Sequence, residues 1–152
     1  MKVNAFIPAR MASSRFPGKP LINLLNMPMI EHVWKRSKLS KKLNEVYIAT
    51  CDKEIKYTAE NFGAKVIMTS KKHKMCMERV AEASLKKPSD IVVTIQGDEP
   101  LVTPEMIDQT ISNLINNKEL SASTLAQKII NKKEIDDPNR VKMVWNKKNE
   151  VL

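Results

Sequence analysis

The chain alternates short apolar runs with stretches of helical periodicity. Residues 3–7 form a compact apolar run, which predicts a first strand ended by Pro8. A loop rich in Ser, Arg and Gly follows as far as Lys19. From Pro28 onward, Ile30, Val33, Trp34 and Ser37 fall on one helical face. Residues 45–50 read as a second strand. Asp52 is placed to cap the next helix, whose face carries Ile55, Ala59 and Phe62 and whose stop is Gly63. Residues 65–68 predict a short third strand. After a basic loop, 77–86 is helical, with Pro88 as its terminator. Residues 90–96 are the most β-branched run and are expected to be a central, buried strand. Thr103 and Pro104 supply an N-cap and an N1 proline to a helix striped with Ile107, Ile111, Leu114 and Ile115. Another strand is expected at 121–127. Residues 141–145 and 150–152 flank a turn at 146–149, in the manner of a β-hairpin.

Strand–helix alternation at this spacing predicts an α/β fold, with a mostly parallel sheet covered by helices on both faces. Ligands of such sheets bind beyond the carboxyl ends of the strands. Two unusual loops, 8–20 and 97–100, are expected there, open on the same edge of the sheet.

Composition narrows the class. A length of 152 residues suits one domain, and 42% apolar content is enough for a core. No apolar run approaches the ~20 residues of a membrane helix, and the N-terminus reads as a strand and not as a signal peptide. Cys51 and Cys76 are the only cysteines, too few for a disulfide framework or a four-cysteine zinc site. A soluble, cytoplasmic protein is expected. The net charge of +9 admits a polyanionic partner. The excess is scattered lysine, with five arginines in the chain and no aromatic residues interleaved with a basic cluster, so neither nucleic acid nor membrane is expected as a partner.

The first loop places Arg10, Arg15 and Lys19 with Ser13, Ser14 and Gly18 directly after a strand. Backbone amides and cations in such a loop make a phosphate cradle; an exposed basic loop with a Pro-Gly turn is the other reading. The spacing is neither a Walker A loop nor the dinucleotide fingerprint. The second loop, Gln96-Gly97-Asp98-Glu99-Pro100, offers a carboxylate at a strand end. That is a natural place for magnesium (Mg2+), which takes one or two carboxylates plus phosphate oxygens. Alternatively, its acids cap the helix near Thr103. Opposite a cationic loop the metal reading gains, because a triphosphate needs both.

These residues carry a resemblance. Ile7-Pro8-Ala9-Arg10, Ser13-Ser14-Arg15, Pro17-Gly18-Lys19-Pro20-Leu21, Gln96-Gly97-Asp98-Glu99-Pro100 and Asp137-Pro138-Asn139-Arg140-Val141-Lys142 occur in one order. Met27-Pro28-Met29-Ile30 and Ala49-Thr50-Cys51-Asp52 also fit. The set resembles the sugar-acid cytidylyltransferases, most closely the branch that acts on 3-deoxy-D-manno-octulosonate (Kdo), and it spans the whole chain. The resemblance implies a Rossmann-like nucleotidyltransferase fold. It implies a reaction of CTP with a 2-keto-3-deoxy sugar acid that gives the CMP-sugar and pyrophosphate, for lipopolysaccharide assembly. By motif match, Arg10 and Lys19 would hold the CTP phosphates, with Pro8, Ala9, Ser13, Arg15 and Arg79 in the nucleotide site. Asp98 would bind Mg2+, and Gln96 would lie near the sugar acid. Arg10, Lys19 and Asp98 are the implied catalytic residues.

Two departures stand out. The family commonly has His-x-Ser-Gly-Thr-Asp/Glu-Arg where this chain has His73-Lys74-Met75-Cys76-Met77-Glu78-Arg79. Such a change removes hydroxyl contacts and can mark a subgroup with another acid, such as a nonulosonic acid. Met75 and Met77 are expected to pack beneath the loop. Cys76 is expected to be half-buried and inert, a reactive thiol beside Lys74 and Arg79 being the alternative. His73 has no partner at metal-ligand spacing. The second departure is length, since family members run on by roughly a hundred residues. Residues 1–152 are therefore expected to be the N-terminal, nucleotide-binding part of a longer domain. The remainder would bring sugar-acid contacts, dimer-forming strands for a homodimer and a second magnesium-binding aspartate. On their own these residues are expected to bind CTP weakly and to lack synthetase activity; a nucleotide-binding fragment without catalysis is the competing class.

Overall fold

The computed structural model describes residues 1–12, 16–147 and 150–151. Its main sheet has four parallel strands in the order β5-β4-β1-β6. These are β1 (Val3–Ala9), β4 (Glu45–Thr50), β5 (Lys65–Met68) and β6 (Ile91–Thr94). A two-residue pair, β2 (Asn23–Leu24) with β3 (Met27–Pro28), forms a separate small hairpin. Leu25 and Asn26, both at positive φ, make its turn. The described residues also form four α-helices: α1 (Met29–Ser37), α2 (Lys53–Asn61), α3 (Cys76–Lys86) and α4 (Pro104–Asn116).

The period-two alternation of the strands explains the layers. Val3, Ala5, Ile7 and Ala9 of β1, with Val46 and Ile48 of β4, face one core. Into it α1 sends Ile30 and Val33, α2 sends Ile55 and Ala59, and α4 sends Ile107 and Ile111. Phe6, Tyr47 and Ala49 point the other way and meet Val80 and Ala83 of α3. Helices thus cover both faces, as the alternation predicts.

β1 is longer than expected. It runs through Pro8, paired with Ala49, to Ala9, paired with Thr50. Proline is tolerated because β6 pairs with β1 only as far as Phe6, so Pro8 has a neighbouring strand on one side alone.

The run expected at the centre is the end strand of this sheet. Among the described residues β6 bonds to β1 alone, and Val92 is 43% exposed. The strand buried at all seven positions is β1. β-branched content reports that residues suit a pleated surface, not where a strand lies in the order. Residues 121–127 form no strand and are mostly exposed. Of the expected hairpin, the described residues show one antiparallel bridge, Trp145 to Val151, and an Asn146 N–H donating to the Glu150 carbonyl at 2.9 Å. Lys148, Asn149 and Leu152 lie outside the described residues. At 121–127 the run lacks a ladder that would hold it extended.

Helix ends follow the sequence at three of four expected signals. α3 ends at Lys86, just ahead of Pro88. Thr103 Oγ1 accepts the Met106 N–H, with Pro104 at the first helical position. Gly63, at φ 87°, ends the α2 turn. Asp52 occupies the N-cap position of α2 but its carboxylate does not cap. Its Oδ2 instead accepts the Met11 N–H at 2.8 Å, tying the loop after β1 to the end of β4.

Candidate active site

Three pieces of chain meet beyond the carboxyl ends of β1 and β6 and enclose an open cavity of about 390 Å3. The end of β1 supplies Pro8, Ala9 and Arg10, and the short 3-10 turn Lys19–Leu21 supplies Lys19 and Pro20. The loop between β5 and α3 brings His73, Lys74 and Met75, and α3 itself brings Cys76 and, one turn further, Arg79. The segment after β6 contributes Gln96, Gly97 and Asp98. The two loops singled out by pattern therefore open on one cavity.

Gly97 makes this convergence possible. A Cβ at this position would stand 2.8 Å from the Pro8 carbonyl oxygen, which is backbone and cannot swing aside. The absent side chain lets the post-β6 segment pass directly beneath the end of β1. We expect Gly97→Ala to destabilise the protein by about 1–3 kcal/mol, as overpacking does. Thermal unfolding would read this as a Tm several degrees lower; a variant melting with the wild type would show that the segment shifts freely.

The lining is cationic. Arg10, Lys19, Lys74 and Arg79 border the cavity, against Asp98 as its carboxylate. The N-terminus of the eleven-residue helix α3 opens on the same space and adds the positive end of its dipole. Such a site favours a polyanion. Lys19 Nζ lies 2.5 Å from Asp98 Oδ2 across the mouth. The Arg10 guanidinium donates to the Lys74 carbonyl at 3.2 Å, which links the first loop to the β5–α3 loop.

Arg79 plays a more structural part than the motif match implies. It is buried, and its Nη1 donates to Thr69 Oγ1 and, at 3.5 Å, to the Ser70 carbonyl. Gln96 reaches the cavity with its amide 3.7 Å from Cys76 Sγ. Pro8, Ala9, Arg10, Lys19, Arg79, Gln96 and Asp98 thus share one site, whereas Ser13 and Arg15 lie outside the described residues.

The Met-Cys-Met stretch differs from expectation. Met75 is 65% and Met77 is 54% exposed, and Cys76 is exposed as well. α3 begins at Cys76 and buries Arg79, Val80 and Ala83, so Met75 at its N-cap and Cys76 and Met77 in its first turn stay in the open and do not pack beneath the loop. Glu78 Oε2 accepts the N–H groups of Lys74 at 2.8 Å and Met75 at 3.1 Å. Those two amides hold its carboxyl below the usual range. This first-turn acid serves the helix end in place of a capping hydroxyl.

Comparison with known proteins identifies the family. The family described as cytidylyltransferase matches residues 5–152. A 3-deoxy-manno-octulosonate cytidylyltransferase of Thermodesulfovibrio yellowstonii is 47% identical over 96% of this chain and 60% of its own length. An 8-amino-3,8-dideoxy-manno-octulosonate cytidylyltransferase of Shewanella baltica is 44% identical over 100% of this chain and 64% of its own. Among solved structures, CMP:2-keto-3-deoxy-manno-octonic acid synthetase complexed with CTP superposes with a TM-score of 0.78 at 36% identity, over 79% of this chain and 50% of that one. The chain thus spans somewhat under two thirds of the curated relatives it matches.

Proposed function

The chain belongs to the cytidylyltransferase family, and from that premise we propose that it carries the CTP site of an enzyme that transfers CMP to Kdo. The anomeric hydroxyl of the sugar acid attacks the α-phosphorus of CTP. An oxygen–phosphorus bond forms there as the bond to the pyrophosphate leaving group breaks, and the hydroxyl proton passes to solvent. The observation that supports this reading best is the meeting of Arg10, Lys19 and Asp98 at one cavity beyond the parallel strands.

Each residue has a task that follows from its chemistry. Arg10 and Lys19 bind the outer phosphates, where their charges offset the negative charge that grows on the leaving pyrophosphate. The backbone of Pro8 and Ala9 closes the floor against the nucleotide, and Gln96 meets the sugar acid. The loop contacts hold these groups in place before substrate arrives, so positioning contributes as well. Ser13 and Arg15 belong to the same loop by motif.

Asp98 fits a magnesium ion. Its carboxylate is a hard oxygen donor at the cavity mouth, and a cation, the Lys19 ammonium, already sits on it. Among the described residues no group of three or more His, Cys, Asp or Glu gathers. One carboxylate supplemented by phosphate oxygens is a normal magnesium environment. When bound, the ion would supply Lewis-acid stabilisation of the phosphates, with Asp98 as its protein ligand.

The rest of the reading follows the family likeness: a cytoplasmic homodimer that serves lipopolysaccharide assembly. Among the described residues no helix is long and apolar enough to cross a membrane. Binding to duplex DNA is expected to be weak and to vanish at physiological salt, as for counterion release without base readout. Retention measured across a salt series checks this, and sequence-selective, salt-resistant binding would overturn it.

The second reading concerns the acid. Relatives at 44–46% identity are named for the 8-amino-3,8-dideoxy sugar, so that acid competes with Kdo. Magnesium-dependent pyrophosphate release by the whole protein, assayed with CTP and each acid in turn, tests both. The higher kcat/KM names the substrate; no release with either acid would sink the proposal.

A further inference from the structure

The β5–α3 loop forms one wall of the cavity, yet it has little apolar surface to hold it. Ser70, Lys71, Lys72 and Lys74 are polar, and Met75 is exposed. Polar contacts must therefore set its shape. Its ends are tied by Arg79 to Thr69 and by Glu78 to the amides of Lys74 and Met75. Its middle is tied by Glu82, a residue of α3 that is not among those lining the cavity. Glu82 Oε2 accepts the Ser70 N–H at 2.8 Å and lies 2.6 Å from His73 Nε2, while Oε1 accepts from Lys86 Nζ at 2.6 Å. Lys86 in turn donates to the Met68 carbonyl at the end of β5.

We propose that Glu82 is a positioning residue for the nucleotide: through Ser70 and His73 it shapes the loop whose Lys74 carbonyl holds the Arg10 guanidinium. The inference rests on the reading of the cavity as the CTP site. Three donors converge on this carboxylate, Lys86 first and then the Ser70 amide and His73, and they lower its pKa from 4.5 to about 2. It is therefore ionised, and accepts only, throughout the neutral range. An acceptor-only partner requires His73 Nε2 to carry the proton, which fixes the ring orientation. His73 borders the cavity, and its Nδ1 lies 3.9 Å from Glu78 Oε2. The line of contacts then runs from the α3 carboxylate through the loop backbone to Lys74 O and on to Arg10, 3.2 Å away. Nothing in the motif points to Glu82, because it acts from the far side of the loop.

Glu82→Gln keeps the shape but replaces one acceptor oxygen by an amide NH2, which faces either the Lys86 donor or the Ser70 and His73 donors. In the whole protein it is expected to weaken CTP roughly five- to tenfold by calorimetry, with CMP nearly unchanged, since Arg10 is assigned to the outer phosphates. Amide exchange at residues 70–75 should accelerate at least ~tenfold, while β1 and β4 amides keep their protection and show that the fold stands. In an Arg10→Ala background the Glu82→Gln effect on CTP should largely disappear, because residues that act through one contact are not additive. A purely structural role predicts full additivity and equal losses for CTP and CMP, and either result would overturn the proposal. So would unchanged exchange in the loop. If the wild type does not bind CTP at all, the cytidylyltransferase reading itself falls, and this inference with it.

Discussion

Asp98→Asn is expected to cut turnover of the whole protein by roughly a hundred- to ten-thousand-fold while leaving the fold standing. The substitution is nearly isosteric, and the side chain is 47% exposed at the cavity mouth, so packing changes little. What it removes is the charge a hard divalent ion requires. Loss of a Lewis acid's charge stabilisation costs several kcal/mol at the transition state, and each ~1.4 kcal/mol is tenfold in rate. The measurement is single-turnover pyrophosphate release at saturating CTP and sugar acid, with thermal unfolding as the control for the fold. CTP binding in the presence of a chelator separates two roles. A metal ligand should be dispensable there, and the neutral variant should bind CTP at least as tightly because a repulsive charge is gone. A variant that turns over near the wild-type rate would remove Asp98 from the metal site.

The pattern made most of this site legible. Strand–helix alternation locates the sheet, and the carboxyl-end rule puts the two loops on one edge without any contact. That inference needed only β1 and β6 to be adjacent and parallel, and they are. It did not need β6 to be central, so the misplacement of that strand did not disturb the site. Residues such as Asp52 and Glu82 were illegible for a different reason. Each acts through a long-range hydrogen bond, to Met11 forty-one positions away and to a loop nine to twelve positions away. A carboxylate near a helix start reads as a cap, and one on an exposed helix reads as a solvated charge, until the fold shows what it faces. The Met75-Cys76-Met77 stretch failed for a third reason. Apolar residues are expected inside, but the rule runs one way, and exposed apolar side chains are common. Here the register of α3 turns Arg79, Val80 and Ala83 inward and leaves the three residues at its N-terminus in the open.

Lys19 and Asp98 make opposite demands on the same space, which leads to the second large effect. Lys19→Ala is expected to weaken CTP roughly ten- to a hundredfold, the scale of a lost charge-assisted phosphate contact. CMP should lose far less, because it lacks the outer phosphates assigned to this ammonium. Equal losses for both nucleotides would place Lys19 on the base, the ribose or the fold instead. The same variant should bind a divalent ion more tightly when no nucleotide is present. In the free protein the ammonium sits 2.5 Å from the carboxylate, so it would compete with an ion that Asp98 would hold. Both side chains are well exposed, at 39% and 47%, so the pair itself is weak and the gain should be only a few-fold. Manganese titration followed by electron paramagnetic resonance reads it directly, without turnover. The two changes have opposite signs, nucleotide weaker and metal tighter, and a loss of shape alone would weaken both. Their combination means that the triphosphate draws Lys19 off Asp98 as it binds and so prepares the carboxylate for the ion. If metal affinity in Lys19→Ala is unchanged or lower, the ammonium does not compete for Asp98, and the two ligands bind without that coupling.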